Sequence, residues 1–346
     1  MASLNTIRDK EAYWCWILIV IIGITTVCGN MLVIYIIATR RTLHVATNWF
    51  ILSLSFSDLL VGLLVIPTYI IHTFFVQLNL HALLTFYNLI LYVSVGNLCA
   101  MTGDRYLAIT RPLTYASEMT PSKVSIFILI AWIAPTSLSL LSLSWNTSTE
   151  TKDTINRMYS GLIVVCFEVI PCFMMILVHI HLYLITRYHS RRIAAQGNVM
   201  DRHRSINYVT RRRQRNRERS NLKVFASVVL LFVFCWVLSA YRGFCEVFSL
   251  CSVGNEIVQI SRILIFSNSA VNVVVYSLLK RDIRTELKRF LKCRVRQESL
   301  QFGLVTLRES MRPSRLLEIG VYASMRAHQG PEPSLNQEPL CRKVVD

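Results

Sequence analysis

Seven stretches of this chain are too long and too apolar to serve as core elements of a soluble domain. They run Trp14–Ala38, Trp49–Thr73, Leu80–Thr102, Val124–Leu143, Tyr159–Ile185, Leu222–Tyr241 and Ile257–Leu279. Each holds about 20 or more residues, enough for a helix to cross a ~30 Å hydrocarbon core. Inside that core a backbone amide finds no water, so each stretch must bond its own amides as a helix. The expected fold is therefore an all-α membrane protein, a seven-transmembrane helix bundle over residues 14–279. Composition supports this: 16% of the 346 residues are charged, against about 25% in a soluble domain. The first stretch is too long for a signal-peptide core and lacks a clear A-x-A-type cleavage site, so it reads as a retained helix.

Charge sets the orientation. The formal net charge is +17, and most of it lies in alternate links. Arg40 and Arg41 follow the first stretch, Arg211, Arg212 and Arg213 sit between the fifth and sixth, and Lys280, Arg281, Arg284, Lys288 and Arg289 follow the seventh. The other links are near neutral. The positive-inside rule puts residues 1–13 outside and the C-terminus in the cytoplasm. Because the Arg clusters already satisfy that rule, no nucleic-acid partner is expected. Asn146-Thr147-Ser148 is a glycosylation sequon in an outer link, consistent with the same orientation. Residues 280–292 alternate bases with Ile283, Leu287, Phe290 and Leu291, the spacing of an amphipathic helix lying on the inner leaflet. Cys293, just beyond it, is a palmitoylation candidate. Residues 293–346 are polar and read as a disordered cytoplasmic tail. No repeat of 20–50 residues is visible, which argues against an inverted-repeat transporter.

Ionisable residues inside a membrane are costly and mark function. Asp58 sits near the middle of the second stretch, ~15 Å from either surface. It must face other helices; candidate partners are Asn30, Ser94, Asn268, Ser269 and Asn272. Glu168 and Arg262 are further charges within apolar stretches. Asp104-Arg105-Tyr106 closes the third stretch and continues as Leu107-Ala108-Ile109-Thr110-Arg111-Pro112-Leu113.

That last string resembles the end of helix three in class A (rhodopsin-like) G-protein-coupled receptors. The resemblance extends over roughly residues 14–292, through Asp58, Pro171, Cys235-Trp236, and Asn272 with Tyr276. It implies a receptor, not an enzyme, that turns binding of an extracellular ligand into activation of a heterotrimeric G protein. The implied location is the plasma membrane, with arrestin, a receptor kinase and membrane lipids as further partners. Features are shared with melanocortin, cannabinoid, lysosphingolipid and adenosine-like branches. The mixture resembles a receptor of an early-branching animal more than any one ligand subtype.

Residue by residue, the resemblance implies the following roles. Asp58, Ser94, Asn268 and Asn272 match a buried sodium site beneath Trp236; the alternative is a polar knot that only fastens helices. Arg105 matches the arginine that meets the G protein, and Glu218 matches an acid that holds it at rest. Glu218 is also one acid in a field of bases, so a solvated surface acid is the alternative. Pro112 and Leu113 match a loop site that inserts into the G protein. Val95, Pro171 and Phe232 match a packing triad that relays ligand binding. His179 stands where the family has a tyrosine, and a contact with Tyr276 is expected to differ.

Several positions depart from the family. Leu80 replaces the cysteine that is usually bridged to the second outer loop. Leu238 and Val273 replace the kink prolines of helices six and seven, which removes two hinges. Cys245 and Cys251 flank the third outer loop, where melanocortin receptors close a similar loop; two free thiols are the alternative. The ligand pocket should open outward between the third, fifth, sixth and seventh stretches. Tyr87 replaces the amine-binding acid and Phe266 the retinal lysine, so neither a simple amine nor retinal is expected by the usual mode. Arg262 could pair with a ligand acid, or equally snorkel to Glu246 or Glu256. Glu168 could serve as a pocket acid, stay protonated, or bind His179 or a water. Tyr69, His72, Asn88 and Tyr92 add polar groups. The alternative function is a non-signalling seven-helix scaffold or trafficking partner, favoured by the lost prolines and opposed by Asp58, Arg105 and Glu218. A transporter would need a path of several charges, and only Asp58, Glu168 and Arg262 lie deep.

Overall fold

The computed structural model describes residues 13–76, 78–143, 149–197, 205–249, 251–290 and 292, with backbone alone at 116, 149–153, 189–197, 205–225 and 279. Seven helices are long and apolar enough to cross a membrane. They are α1 (Tyr13–Thr39), α2 (Ala46–Phe74), α3 (Leu80–Thr110), α4 (Pro121–Leu141), α5 (Thr149–Val164, Val165–Val169 and Ile170–Gly197 in sequence), α6 (Ser205–Phe248) and α7 (Asn255–Leu279). There is no strand among the described residues.

The helix ends follow local chemistry. Asn79 precedes α3 and its side-chain oxygen accepts from the Ala82 N–H at 3.2 Å, satisfying one of the free first-turn amides. Pro121 opens α4, where its missing N–H costs nothing. A short 3₁₀ turn (Arg41–Leu43) joins α1 to α2, and a one-turn helix (Tyr115–Glu118) lies between α3 and α4. α2 and α5 each contain a π-helical turn, Val61–Val65 and Val165–Val169.

Helices α3 and α6 run past the boundaries of their apolar stretches. α3 continues to Thr110, so Asp104, Arg105 and Tyr106 lie within it rather than closing it. α6 starts at Ser205 and turns much of the basic link into helix. It also continues to Phe248, beyond Tyr241. Residues 281–290 are helical, in agreement with the amphipathic pattern.

The chain separates into two compact units, Met1–Arg284 and Thr285–Asp346. In the first, α6 runs along α7, α3 along α4 and α2, and α1 against α2 and α7. Glycine permits the closest crossing: a Cβ at Gly96 would stand 2.6 Å from the Ala131 carbonyl oxygen, so α3 and α4 meet backbone to backbone. At the α1–α7 crossing, Gly29 leaves room for Val273, whose Cγ1 would be 2.6 Å from an added Cβ. Val273 is the residue standing in the place of the helix-seven proline, and α7 is unbroken through it.

Trp236, Tyr276, Phe50 and Phe232 are the largest fully buried side chains. Around them, Ile17, Phe56, Leu63, Phe173, Leu177, Leu230 and Phe234 are exposed. A large apolar perimeter of this kind needs a non-aqueous surround. In the second unit, Arg289 Nη1 donates to Glu286 Oε1 at 2.6 Å.

Candidate functional site: the polar axis of the bundle

Polar side chains form three groups along the bundle. The central group is built on Asp58, which is fully buried in α2. It accepts from Ser94 Oγ of α3 at 2.8 Å and from Asn272 Nδ2 of α7 at 2.9 Å. Asn268 is buried one turn before Asn272 but makes no hydrogen bond to Asp58. Asn30 of α1 donates to the Ser269 carbonyl at 3.4 Å, and its own side-chain oxygen is buried without a partner. Among the described residues no base answers the Asp58 charge and no cluster of three or more His, Cys, Asp or Glu exists. A lone buried carboxylate with a serine hydroxyl and an asparagine amide beside it offers hard donors that suit a hard cation rather than a soft transition metal.

The second group lies at the basic end, where α3 ends. Asp104 is buried and accepts three partners: Arg105 Nε at 2.9 Å, Thr47 Oγ1 of α2 at 3.2 Å and the Tyr115 hydroxyl at 2.6 Å. Arg105 is largely buried too and forms an ion pair with Asp104. Tyr106 packs near the His181 ring, 5.8 Å between centroids. In contrast, Leu113 is 96% exposed, and Pro112 is exposed beside it. Glu218 lies on the described backbone of α6, but its side chain falls outside the described residues, as do Asn146 and Cys293. Lys280, just after α7, is buried and its ammonium donates to Asn48 Oδ1 of α2. Burial, with Arg105 nearby, lowers its pKa to about 7.

The third group lies at the opposite end. Tyr92 of α3 stacks on Phe167 at 4.8 Å and donates to Glu168 Oε1 at 3.1 Å. Glu168 therefore meets Tyr92 rather than His179, whose Nδ1 lies 2.8 Å from the Met175 carbonyl. Tyr276 likewise meets the Met101 sulfur at 3.7 Å rather than His179. Arg262 donates to the Tyr69 hydroxyl and lies 4.6 Å over the Tyr69 ring. Among the described residues no ion pair joins it to Glu246 or Glu256. Phe266 is buried with its ring edge toward Tyr69 at 5.8 Å. Tyr87 has a buried hydroxyl without a partner, and Asn88 is half-buried.

Between the second and third groups sit the relay residues. Val95, Pro171, Phe232 and Trp236 are all buried, and Phe232 stacks on Trp236 at 5.6 Å. Cys245 and Cys251 are bridged, 5.1 Å between Cα atoms, at the end of α6. Cys15, Cys28, Cys99, Cys166, Cys172 and Cys235 are free thiols.

Sequence reading missed Thr47, Tyr115 and Lys280 as site residues, and with them Arg242, whose Nη1 donates to Ser261 Oγ at 3.3 Å. Arg242 was within reach: the sixth stretch, read as ending at Tyr241, stopped one residue short of it. Tyr115 and Lys280 carry no periodic signal, because their partners come from other helices.

Comparisons with known proteins agree with this geometry. The profile of a family described as "7 transmembrane receptor (rhodopsin family)" matches residues 29–276. A histamine H2 receptor from Cavia porcellus is 30% identical over 302 residues, 81% of this chain and 79% of that protein. An octopamine receptor beta-2R from Chilo suppressalis is 27% identical over 314 residues, 80% and 78% of the two chains. An adenosine receptor A2b from Gallus gallus is 28% identical over 302 residues, 78% and 85%.

Proposed function

The chain belongs to the rhodopsin family of seven-transmembrane receptors, and from that premise we propose how its residues divide the work. It is a multi-pass membrane receptor that couples an extracellular ligand to a G protein, and it is not an enzyme. The basic end is the cytoplasmic, G-protein-facing end, with the N-terminus outside. Asn146 is then an outer glycosylation site of a plasma-membrane protein. Cys293 and the 280–292 helix attach to inner-leaflet lipids, and the tail of residues 293–346 offers sites to a receptor kinase and arrestin.

The single observation that carries the coupling assignment is the contrast at the end of α3. Asp104 is buried and paired with a largely buried Arg105, while Leu113 is 96% exposed in a loop held to Asp104 through Tyr115. An isolated apolar side chain exposed at a basic membrane face is ready to enter a partner's apolar pocket. Arg105 is released from Asp104 and Glu218 when α6 moves, and then donates to the G protein. Val95, Pro171, Phe232 and Trp236 transmit that movement from the ligand end.

Asp58, Ser94, Asn268 and Asn272 would hold Na+, which supplies the missing counter-charge for Asp58. The orphaned oxygen of Asn30 and the unanswered charge of Asp58 support that fit. In the ligand site, Tyr69, Tyr87, Asn88, Tyr92, Glu168, Arg262 and Phe266 line the end away from the G protein. The relatives carry the names of an amine and a nucleoside receptor, but Tyr87 offers no acid where an amine would bind. An acidic or neutral ligand therefore fits better than a simple amine, and Arg262 is the base that an acidic group would meet.

The testing experiment is G-protein activation by the unliganded receptor against a panel of Gα subunits. The wild type should activate at least one, Leu113→Asp should weaken that activation, and Arg105→Ala should abolish it at equal surface expression. Silence across the panel at full surface expression would favour the scaffold alternative. Orientation is read separately: a tag after Asp346 should label only after permeabilisation.

A further inference from the structure

Arg242 on α6 lies within electrostatic reach of Glu168 on α5 and bonds Ser261 of α7, the residue before Arg262. Yet no ion pair joins Glu168 and Arg242 among the described residues. Opposite charges in a buried site close on each other unless something holds them apart. Here each is held by a neutral partner. Tyr92 bonds one oxygen of Glu168, Ser261 accepts from Arg242 Nη1 at 3.3 Å, and Tyr69 takes Arg262 by hydroxyl and ring.

The holding leaves specific valences unused. The second oxygen of Glu168, the Nε of Arg242 and the hydroxyl of Tyr87 are all buried without a hydrogen-bond partner. Buried polar atoms are rarely left so unless a ligand or water completes them. The unused acceptor is on the α5 side and the unused donors are on the α6 and α3 sides. Beside Glu168 stands the ring of Tyr92, with that of Trp236 6.0 Å away, centroid to centroid. An acid alone would leave Glu168 unanswered, and an amine alone would leave two guanidiniums unanswered.

We infer that this site takes a small zwitterion, an ammonium and a carboxylate joined by a short apolar linker. The ammonium sits at Glu168, and the carboxylate is shared by Arg242 and Arg262. This rests on the receptor reading and narrows its acidic or neutral ligand to one with a second, cationic end. It also explains how a relative of amine receptors can lack an acid at Tyr87: the cationic end is received on α5 instead of α3.

The test uses the purified full chain and thermal stability as the readout, with no G protein present. The probes are γ-aminobutyrate, δ-aminovalerate, ε-aminocaproate, phenylalanine and tyrosine. Each is set against its decarboxylated amine, its deaminated acid and its methyl ester. At least one zwitterion should stabilise the protein at concentrations where its amine, acid and ester do not. Glu168→Gln and Arg262→Gln should each raise the half-maximal concentration by about ten- to a hundredfold, the loss expected for one charged hydrogen bond. Arg242→Gln should act in the same direction. The amine and acid comparisons keep the test independent of how well any variant folds. If no zwitterion exceeds its two halves, or if both Gln variants bind as the wild type does, the inference is overturned. A receptor that binds a zwitterion but never activates a G protein would sink the signalling assignment alone. One that couples but is blind to every zwitterion would sink this inference alone.

Discussion

The hydroxyl of Tyr115 donates to Asp104 Oδ1 at 2.6 Å, tying the one-turn loop helix to the buried end of α3. Burial raises the Tyr115 pKa, and its bond to Asp104 raises it further, so the phenol stays a donor through neutral pH. Tyr115→Phe removes that donor and leaves Asp104 with Thr47 and Arg105. The loss should be about 1 kcal/mol. It should appear as faster amide exchange across residues 111–119. Unchanged exchange in that segment would show that the loop is held elsewhere.

Sodium should stabilise the resting bundle by mass action, because only the compact form assembles Asp58 with Ser94 and Asn272. Raising NaCl should increase the melting temperature of the purified protein, with a bulky organic cation as the ionic-strength control. Asp58→Asn keeps the shape and removes the charge, and the sodium response should vanish with it. Equal responses in the two proteins would leave Asp58 as a polar fastener of helices.

Lys280 gives stability a pH dependence of known sign. Its folded pKa is lowered to about 7 from 10.5, so between those values the unfolded chain holds a proton that the folded chain lacks. Stability from this group therefore rises with pH across that window, by up to about 1.4 kcal/mol per pH unit. It is least below about pH 7, where both states are protonated. Lys280→Met should melt higher than the wild type at neutral pH, and the gap should narrow toward pH 9. Parallel melting curves for the two proteins would contradict the burial of the ammonium against Asn48.

Arg105 and Glu218 can be separated by basal output. Glu218→Ala should raise agonist-free signalling severalfold if Glu218 restrains Arg105 at rest. Arg105→Ala should silence the receptor with surface expression retained. A Glu218→Ala receptor that still couples, with basal output equal to wild type, would leave Asp104 as the sole restraint.

The helices were legible in the sequence because a membrane span needs only length and apolarity, and neither depends on a partner. The pairing of Asp58 with Ser94 and Asn272 was also legible, since a mid-membrane acid must find polar partners and few were on offer. The partners of Glu168, Arg262 and His179 were not. Each could reach several groups, and which one it meets depends on helix rotation and tilt that no single segment encodes. Tyr92 and Tyr69 won these contacts because they stand on α3 and α2 at the right height. The Cys245–Cys251 bridge was open from spacing alone, and the turn after Phe248 closes it.

The π-helical turn Val165–Val169 bears on how such a receptor could change its ligand over time. It holds one residue more than an α-helical path of the same length needs. Residues on its N-terminal side are therefore turned by about 100° relative to an unbroken α-helix, the rotation of one residue at 3.6 per turn. Glu168 lies inside this turn, Tyr159 before it and Pro171 after it. A single-residue deletion there would re-aim the N-terminal half of α5 as a block and change which of its side chains face the bundle. The half that follows Pro171 would keep its phase against α3 and α6. Insertions and deletions, more than point substitutions, are thus a route by which ligand choice can drift while the transducing half stays in register.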